Sequence, residues 1–345
     1  MSKKKYDLAV FIGRFQPFHN GHQRAIERAL QLAERVLILI GSSGGPRTPK
    51  NPWTFEERRS MIEAAIGSHL HWRVAPLPDF SYDDSLWVTE VQRIVAGYVD
   101  TDAKICISGH SKDESSYYLN IFPQWKFEET GYSNISEPDI DATQIRNFIF
   151  ERKTPYIYGV LNRKVIELLE GWKSKHKDEF EALIKEHIQL QAYKRSWASA
   201  PFPPVFVTVD AVVVQSGHVL VVKRGDSPGK GLWALPGGFL NEHERITQGC
   251  IRELVEETAI KLQPDTLYRC IKHREVFDAP FRSLRGRTIT HAFLFKLNDQ
   301  SPLPRVKGGD DAAEAYWMPL SEFEISRHRF FEDHFDIITH MVRKI

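Results

Sequence analysis

A short apolar run, "DLAVFI", ends at Gly13. Beyond it Ala25, Ile26, Ala29, Leu30 and Ala33 recur at helical spacing in "GHQRAIERALQLAER". A second apolar run, "VLILIGSS", closes in a Gly/Ser turn. "TFEERRSMIEAAIG" carries Thr54 as a helix N-cap with Glu57 three residues later, a capping box, and stops at Gly67. "HWRVAPL" and "AKICISGH" read as further strands, with the helical "DSLWVTEVQRIVAGYV" between them. Strand alternating with helix predicts an α/β domain, a doubly wound parallel sheet with helices on both faces. Such sheets bind ligands at the carboxyl ends of their strands. "FIGRFQPFHNGH" and "CISGHSKD" both fall at such ends.

From about Val160 to Trp197 the pattern is helical and rich in Lys and Glu. "ASAPFPPVF" then breaks it with three prolines. Beyond the break, "VFVTVDAVVVQSGHVLVVKRG" is two strands joined through a hairpin signal, "ERITQGCIRELVEETAI" is helical, and "THAFLFKL" and "EAYWMPL" are later strands. This half reads as α+β with a mixed sheet. The expected division is a first domain at 1–183, a linker at 184–204 and a second domain at 205–345.

The chain of 345 residues suits two domains, and 42% hydrophobic with 26% charged residues suits a soluble globular protein. A formal net charge of +1 provides no field for nucleic acid. The three cysteines, Cys106, Cys250 and Cys270, lack CxxC spacing, which argues against a disulfide framework or zinc knuckle and fits a reducing compartment. No apolar run has membrane-spanning length and no signal-peptide core is visible, so no membrane partner and a cytoplasmic location are expected. A homo-oligomer stays open.

"GRFQPFHNGH" has no nucleophile. Its second glycine, Gly21, precedes an amphipathic helix whose first N–H groups and dipole favour an anion. His19 and His22 flank that helix start, and Arg14 adds a guanidinium suited to phosphate. No third ligand of suitable type lies nearby for a metal. A polyphosphate is the expected occupant. Arg58 in "TFEERRSM" is within reach of a phosphate, but the favoured reading is a solvated helix charge.

This stretch resembles the (H/T)xGH motif of the nucleotidyltransferase superfamily, in particular the archaeal-type nicotinamide mononucleotide (NMN) adenylyltransferases. "DATQIRNFI" is similar to that family's second motif, with Thr143 and Arg146 in place and Asp141 where many members carry serine. The resemblance implies transfer of AMP from ATP to NMN, giving NAD and pyrophosphate. By the same resemblance His19, His22 and Arg146 stabilise charge on the phosphates. Gly13, Arg14, Phe15, Gly21, Trp87, Gly109, His110, Asp113 and Thr143 bind ATP or NMN. Mg²⁺ or Mn²⁺ bridges the phosphates.

In the second half, Gly238 is followed by Glu244, and then by Arg252, Glu253, Glu256 and Glu257. On a helix Glu253 shares a face with Glu256 and Glu257, at i+3 and i+4. Carboxylates so crowded call for a hard divalent cation, Mg²⁺ or Mn²⁺. Arg252 is expected to orient the cluster, with Glu244 as its partner. The spacing resembles the Nudix box, with Ala259 where its closing glycine stands, and "VVKRGDSPGKGLWALPGGF" resembles the ADP-ribose pyrophosphatase group. That resemblance implies hydrolysis of ADP-ribose to AMP and ribose 5-phosphate. It places metal at Gly238, Glu253, Glu256, Glu257 and Glu314, catalysis at Glu253 and Glu257, and ADP-ribose at Arg224, Arg282 and Arg285. The order of the two halves resembles a bifunctional family of NAD metabolism. Two alternatives stand beside this: a Nudix domain that only senses ADP-ribose or NAD, and a first domain that adenylylates another phosphorylated acceptor.

Overall fold

The computed structural model describes residues 4–67, 70–111, 114–130 and 141–345. The chain separates into two compact units, 1–184 and 185–345.

In the first unit β1 (Tyr6–Gly13), α1 (Asn20–Leu32), β2 (Ala33–Ile40), α2 (Phe55–Ile66), β3 (Trp72–Pro76), α3 (Asp84–Ala96), β4 (Ile105–Gly109) and β5 (Lys126–Glu129) follow in order. The helices α4 (Ala142–Phe150) and α5 (Arg163–Lys175) come next, and α6 (Lys177–Ser196) runs across the change of unit. The sheet has the order β3-β2-β1-β4-β5 and every pair in it is parallel. Side chains alternate across it, so Ala9 and Phe11 of β1 enter one buried layer while Leu8 and Val10 enter the other. Both faces are therefore covered, as the near-continuous apolar strands require. The strand order reverses between β1 and β4, which puts their carboxyl ends, Gly13 and Gly109, side by side at the crevice.

Two boundaries differ from the sequence reading. The first helix stops at Leu32 because Ala33 already pairs with Tyr6 in the sheet, so "AER" belongs to β2. The segment read as a linker begins inside α6, whose helical pattern persists to Ser196 and ends before the prolines.

The second unit contains β6 (Val205–Gln215), β7 (His218–Arg224), β8 (Trp233–Ala234), β9 (Gly237–Phe239), α7 (Ile246–Thr258), α8 (Pro264–Cys270), β10 (Ile271–Phe277), β11 (Arg287–Lys296), β12 (Ala312–Pro319), α9 (Leu320–Glu324) and α10 (His334–Val342). Its mixed sheet has the order β10-β11-β6-β7-β12, with β8 on β7 and β9 on β6. The β11–β6 pair is parallel. The helix α7 buries Cys250 and Leu254 against Val209, Ala211 and Val213 of β6. Among the described residues no helix is long and apolar enough to cross a membrane.

Ala259 caps α7 at φ 46°, in the left-handed region. A Cβ is strained there by about 1 kcal/mol and glycine is not. Ala259→Gly is expected to raise unfolding stability by about that amount, read as a higher denaturant midpoint; an unchanged or lower midpoint would sink the idea.

Candidate functional site

At the end of β1 the chain turns through a loop that sets two imidazoles. His19 is the N-cap of α1, and its Nδ1 accepts from the Gly21 N–H at 3.1 Å. Nδ1 of His22 in turn accepts from the His19 N–H at 3.3 Å. Each Nδ1 faces a backbone donor, so the ring hydrogen must sit on Nε2 of both residues. The rings stack with centroids 3.6 Å apart. Phe15 supports them, its ring meeting His22 edge-on at 4.8 Å. Gly13 is required by that support: a Cβ there would stand 2.7 Å from the Phe15 ring. Phe15 holds φ 52°, a strained value for a bulky residue at a strand end. Gly13 and Phe15 thus build the loop from beneath, while Arg14 is exposed.

The second motif reaches the same loop from 130 residues away. Arg146 is buried and donates to the Gln16 carbonyl at 2.6 Å, to the Ala142 carbonyl at 3.1 Å and to the Thr143 hydroxyl at 3.1 Å. Burial, with the nearby Arg14 charge, lowers its pKa to about 10. The guanidinium is a cation held by carbonyls and a hydroxyl, in surroundings that favour an added anion. Asp141 serves as N-cap of α4, accepting from the Gln144 N–H at 2.9 Å, which accounts for an acid where serine is usual.

Arg58 departs from the sequence reading. It is 1% exposed and donates to the carbonyls of Arg14, Gly41, Ser42 and Thr54, pinning the loops after β1 and β2 together. Its helical position gave no sign of this, because the partners come from two other strand ends.

Across the crevice, Gly109 lacks room for a side chain, since a Cβ would lie 2.8 Å from Leu119. His110 pairs with Glu129 through Nδ1 at 3.1 Å. Trp87 is half-buried in the apolar layer, with Tyr118 and Phe122 each at 6.0 Å. Asp113 lies outside the described residues.

In the second unit Arg252 gathers the acids. It binds Glu244 through two bonds, at 2.9 and 2.6 Å, and donates from one nitrogen to Glu253 and Glu256, each at 2.9 Å. The expected Arg252–Glu244 pair is present. These partners raise the Arg252 pKa, the Glu244 bond most. Gly238 lies against the Glu253 carboxylate: a Cβ there would stand 2.6 Å from its Oε1 and push that group aside. Glu257 accepts from the Gly237 N–H at 2.9 Å. Burial, and then a bond to Asp311, push the Glu257 pKa up to about 9; burial also raises that of Glu253.

Glu314 stands on β12 with Lys223 at 3.9 Å as its ion-pair partner. The acid beside Glu257 is instead Asp311, three residues earlier, which the sequence reading passed over. Its signal was the "GGDD" before the strand: a Cβ on Gly309 would meet the Glu256 carbonyl at 2.4 Å, so glycine there lets the segment close on α7.

Among the described residues, no three His, Cys, Asp or Glu side chains converge as a ready metal cage. Arg252 occupies Glu253 and Glu256, and a bond between the carboxyl groups of Glu257 and Asp311 requires one of them to hold a proton. These hard oxygen donors, crowded and partly neutralised by protons, fit a divalent cation that would take the proton's place.

Of the three arginines assigned to ADP-ribose, Arg282 is buried in a two-bond ion pair with Asp333, both bonds 2.8 Å. Arg224 lies over the Phe331 ring at 4.3 Å, and Arg285 lies 4.9 Å from Phe239 and 6.0 Å from Phe331. Arg224 and Arg285 influence each other, and Arg224 also feels Glu257 and Asp311, so these cations adjoin the acidic end of α7.

A parallel sheet with phosphate-type loops at its switch point, followed by a mixed sheet carrying an acidic box on one helix, defines a nucleotidyltransferase-type domain joined to a Nudix-type domain. Residues 10–77 match the cytidylyltransferase-like family and residues 204–341 the NUDIX domain family. The nicotinamide/nicotinic acid mononucleotide adenylyltransferase of Acinetobacter baylyi is 39% identical over 150 residues, 43% of this chain and 78% of that protein. The crystal structure of a bifunctional NMN adenylyltransferase/ADP ribose pyrophosphatase from Francisella tularensis is 38% identical, with a TM-score of 0.88, covering 98% of this chain and 99% of that one. A second structure from that organism, complexed with AMP and a manganese ion, gives 37% and 0.87 over the same shares. The chain belongs to the family of bifunctional NMN adenylyltransferase/ADP-ribose pyrophosphatases.

Proposed function

We propose that residues 1–183 transfer AMP from ATP to NMN, and that residues 205–345, joined to them by 184–204, hydrolyse ADP-ribose to AMP and ribose 5-phosphate. In the first reaction a 5′-phosphate oxygen of NMN attacks the α-phosphorus of ATP in line. NAD forms and pyrophosphate leaves. Both reacting groups are anionic, so the protein's work is positioning and charge stabilisation. The Nε2–H groups of His19 and His22, with Arg14 and Arg146, perform it at the phosphates. Trp87, Gly109, His110 and Thr143 border the bound nucleotides.

In the second reaction water attacks one phosphorus of the diphosphate and the bond to the bridging oxygen breaks. Glu253, Glu256 and Glu257, with the Gly238 backbone, would hold Mg²⁺ or Mn²⁺, which supplies charge neutralisation and a more acidic water. Glu253 and Glu257 manage the proton of that water, and Arg224 and Arg285 take the anionic substrate. What supports the reading most is the acidic crowd at Glu253, Glu257 and Asp311 beside two arginines, an arrangement suited to a metal-bound diphosphate.

The test is purified protein with Mg²⁺ or Mn²⁺. One sample receives ATP plus NMN, and others receive ADP-ribose, NAD, NADH and diadenosine polyphosphates. NAD in the first and AMP from ADP-ribose are expected. Binding of ADP-ribose without any hydrolysis would make the second domain a sensor. Turnover of ATP with a different phosphorylated acceptor, and none with NMN, would overturn the first assignment.

A further inference from the structure

Glu332 combines two unfavourable features. Its backbone is left-handed, φ 45°, which a glutamate adopts at a cost. Its side chain is 9% exposed; the carboxyl has a bond to Ser283, but its buried Oε2 has no hydrogen-bond partner. Glycine or asparagine would suit this backbone better, and an apolar residue would suit this burial better. The residue sits two positions before α10.

Its surroundings explain what it does there. The nearest cation is Arg285, whose terminal nitrogen is 3.9 Å from Oε2: close enough for strong attraction, too long for a hydrogen bond. Arg224 feels the same carboxyl. Phe331, the preceding residue, carries both guanidinium groups on its ring. That ring is itself seated on Gly229, where a Cβ would come within 2.2 Å of it. Arg282 already has Asp333 as its partner. Glu332 is thus the acid that pairs with Arg285 and, together with Asp311 and Glu257, acts on Arg224, and at 3.9 Å it attracts Arg285 without saturating its donors.

We propose that Glu332 is a positioning residue of the second site: its buried carboxyl holds Arg285, and with Phe331 also Arg224, oriented towards the anionic portion of a nucleoside diphosphate. A fully bonded ion pair, such as Arg282–Asp333, would consume the donors that the substrate needs. The looser Glu332–Arg285 pair keeps the guanidinium in place while leaving bonds to be made. This rests on the hydrolase reading above.

The experiment compares wild type, Glu332→Gln and Glu332→Gly in steady-state hydrolysis and in thermal unfolding, using the diphosphate that the wild type cleaves fastest from the panel that includes ADP-ribose. Gln keeps the shape and removes the charge; Gly also relieves the left-handed backbone. KM is expected to rise at least about fivefold in both variants, with kcat falling less. The Tm of Glu332→Gly is expected to stay at or above that of wild type, because strain is traded for function here. A KM within twofold of wild type in either variant overturns the proposal. So does a KM rise confined to a variant whose Tm has dropped, which is a purely structural role. A wild type that cleaves another diphosphate and not ADP-ribose overturns the substrate named above, and the comparison proceeds on the compound it does cleave. A wild type that cleaves none overturns both.

Discussion

His22→Ala is expected to lower NAD formation from ATP and NMN by at least about a hundredfold, the cost of removing one fixed donor from a developing charge. Its Nδ1 is committed to the His19 N–H, and the ring stacks on His19 and rests against Phe15, so the Nε2–H direction is set before any substrate binds. Alanine removes that donor and also opens the capping box, a loss of about 1 kcal/mol that a folded domain tolerates. Hydrolysis of ADP-ribose in the same preparation is expected to stay within about twofold. Measuring both activities on one sample, beside the Tm, separates a lost donor from a lost fold. Equal loss of both activities in a folded protein would end the idea of two independent sites.

Glu257→Gln is expected to do the reverse, lowering hydrolysis by about a thousandfold or more while NAD formation persists. Glutamine keeps the size and an oxygen able to accept from the Gly237 N–H, but it cannot carry the charge that a divalent cation needs. The same carboxyl makes metal-free stability depend on pH. In the fold its pKa is pushed up to about 9, by burial first and Asp311 second, far above the ordinary carboxylate value near 4.5. The folded state therefore binds the proton more tightly than the unfolded chain. The stability linked to that proton is complete below about pH 4.5, declines above it, and is lost as pH rises through about 9. Unfolding midpoints of metal-free wild type are expected to fall across that window. Added Mg²⁺ or Mn²⁺ should restore them at the alkaline end, and Glu257→Gln should flatten the slope. An equal slope in the variant would assign the effect to other groups.

The amino-acid sequence by itself determined the alternation of strand and helix in the first half, the mixed pattern of the second, the capping box at Thr54 and Glu57, and the two motif sets. All of these rest on local spacing. A period of 3.6 or 2 residues, or an acid three positions after a cap, is read within one turn or one strand. The shared face of Glu253, Glu256 and Glu257 is of this kind, as is the histidine pair at the start of α1.

Only the tertiary structure decided what the charged residues outside those patterns do. Arg58 looks like any exposed helix arginine until four carbonyls from three segments meet it. Arg282 and Arg285 stand three residues apart in one loop, yet one is tied to Asp333 and the other lies over Phe239. Asp311 rather than Glu314 adjoins Glu257 because Gly309 lets the chain close on α7. Glu332 acquires its meaning from a ring, a strained backbone angle and two arginines brought from β7 and the loop before β11. Burial and charge pairing depend on which distant segments are packed together, and a sheet order of β3-β2-β1-β4-β5 or β10-β11-β6-β7-β12 fixes those neighbours through contacts that no local period encodes.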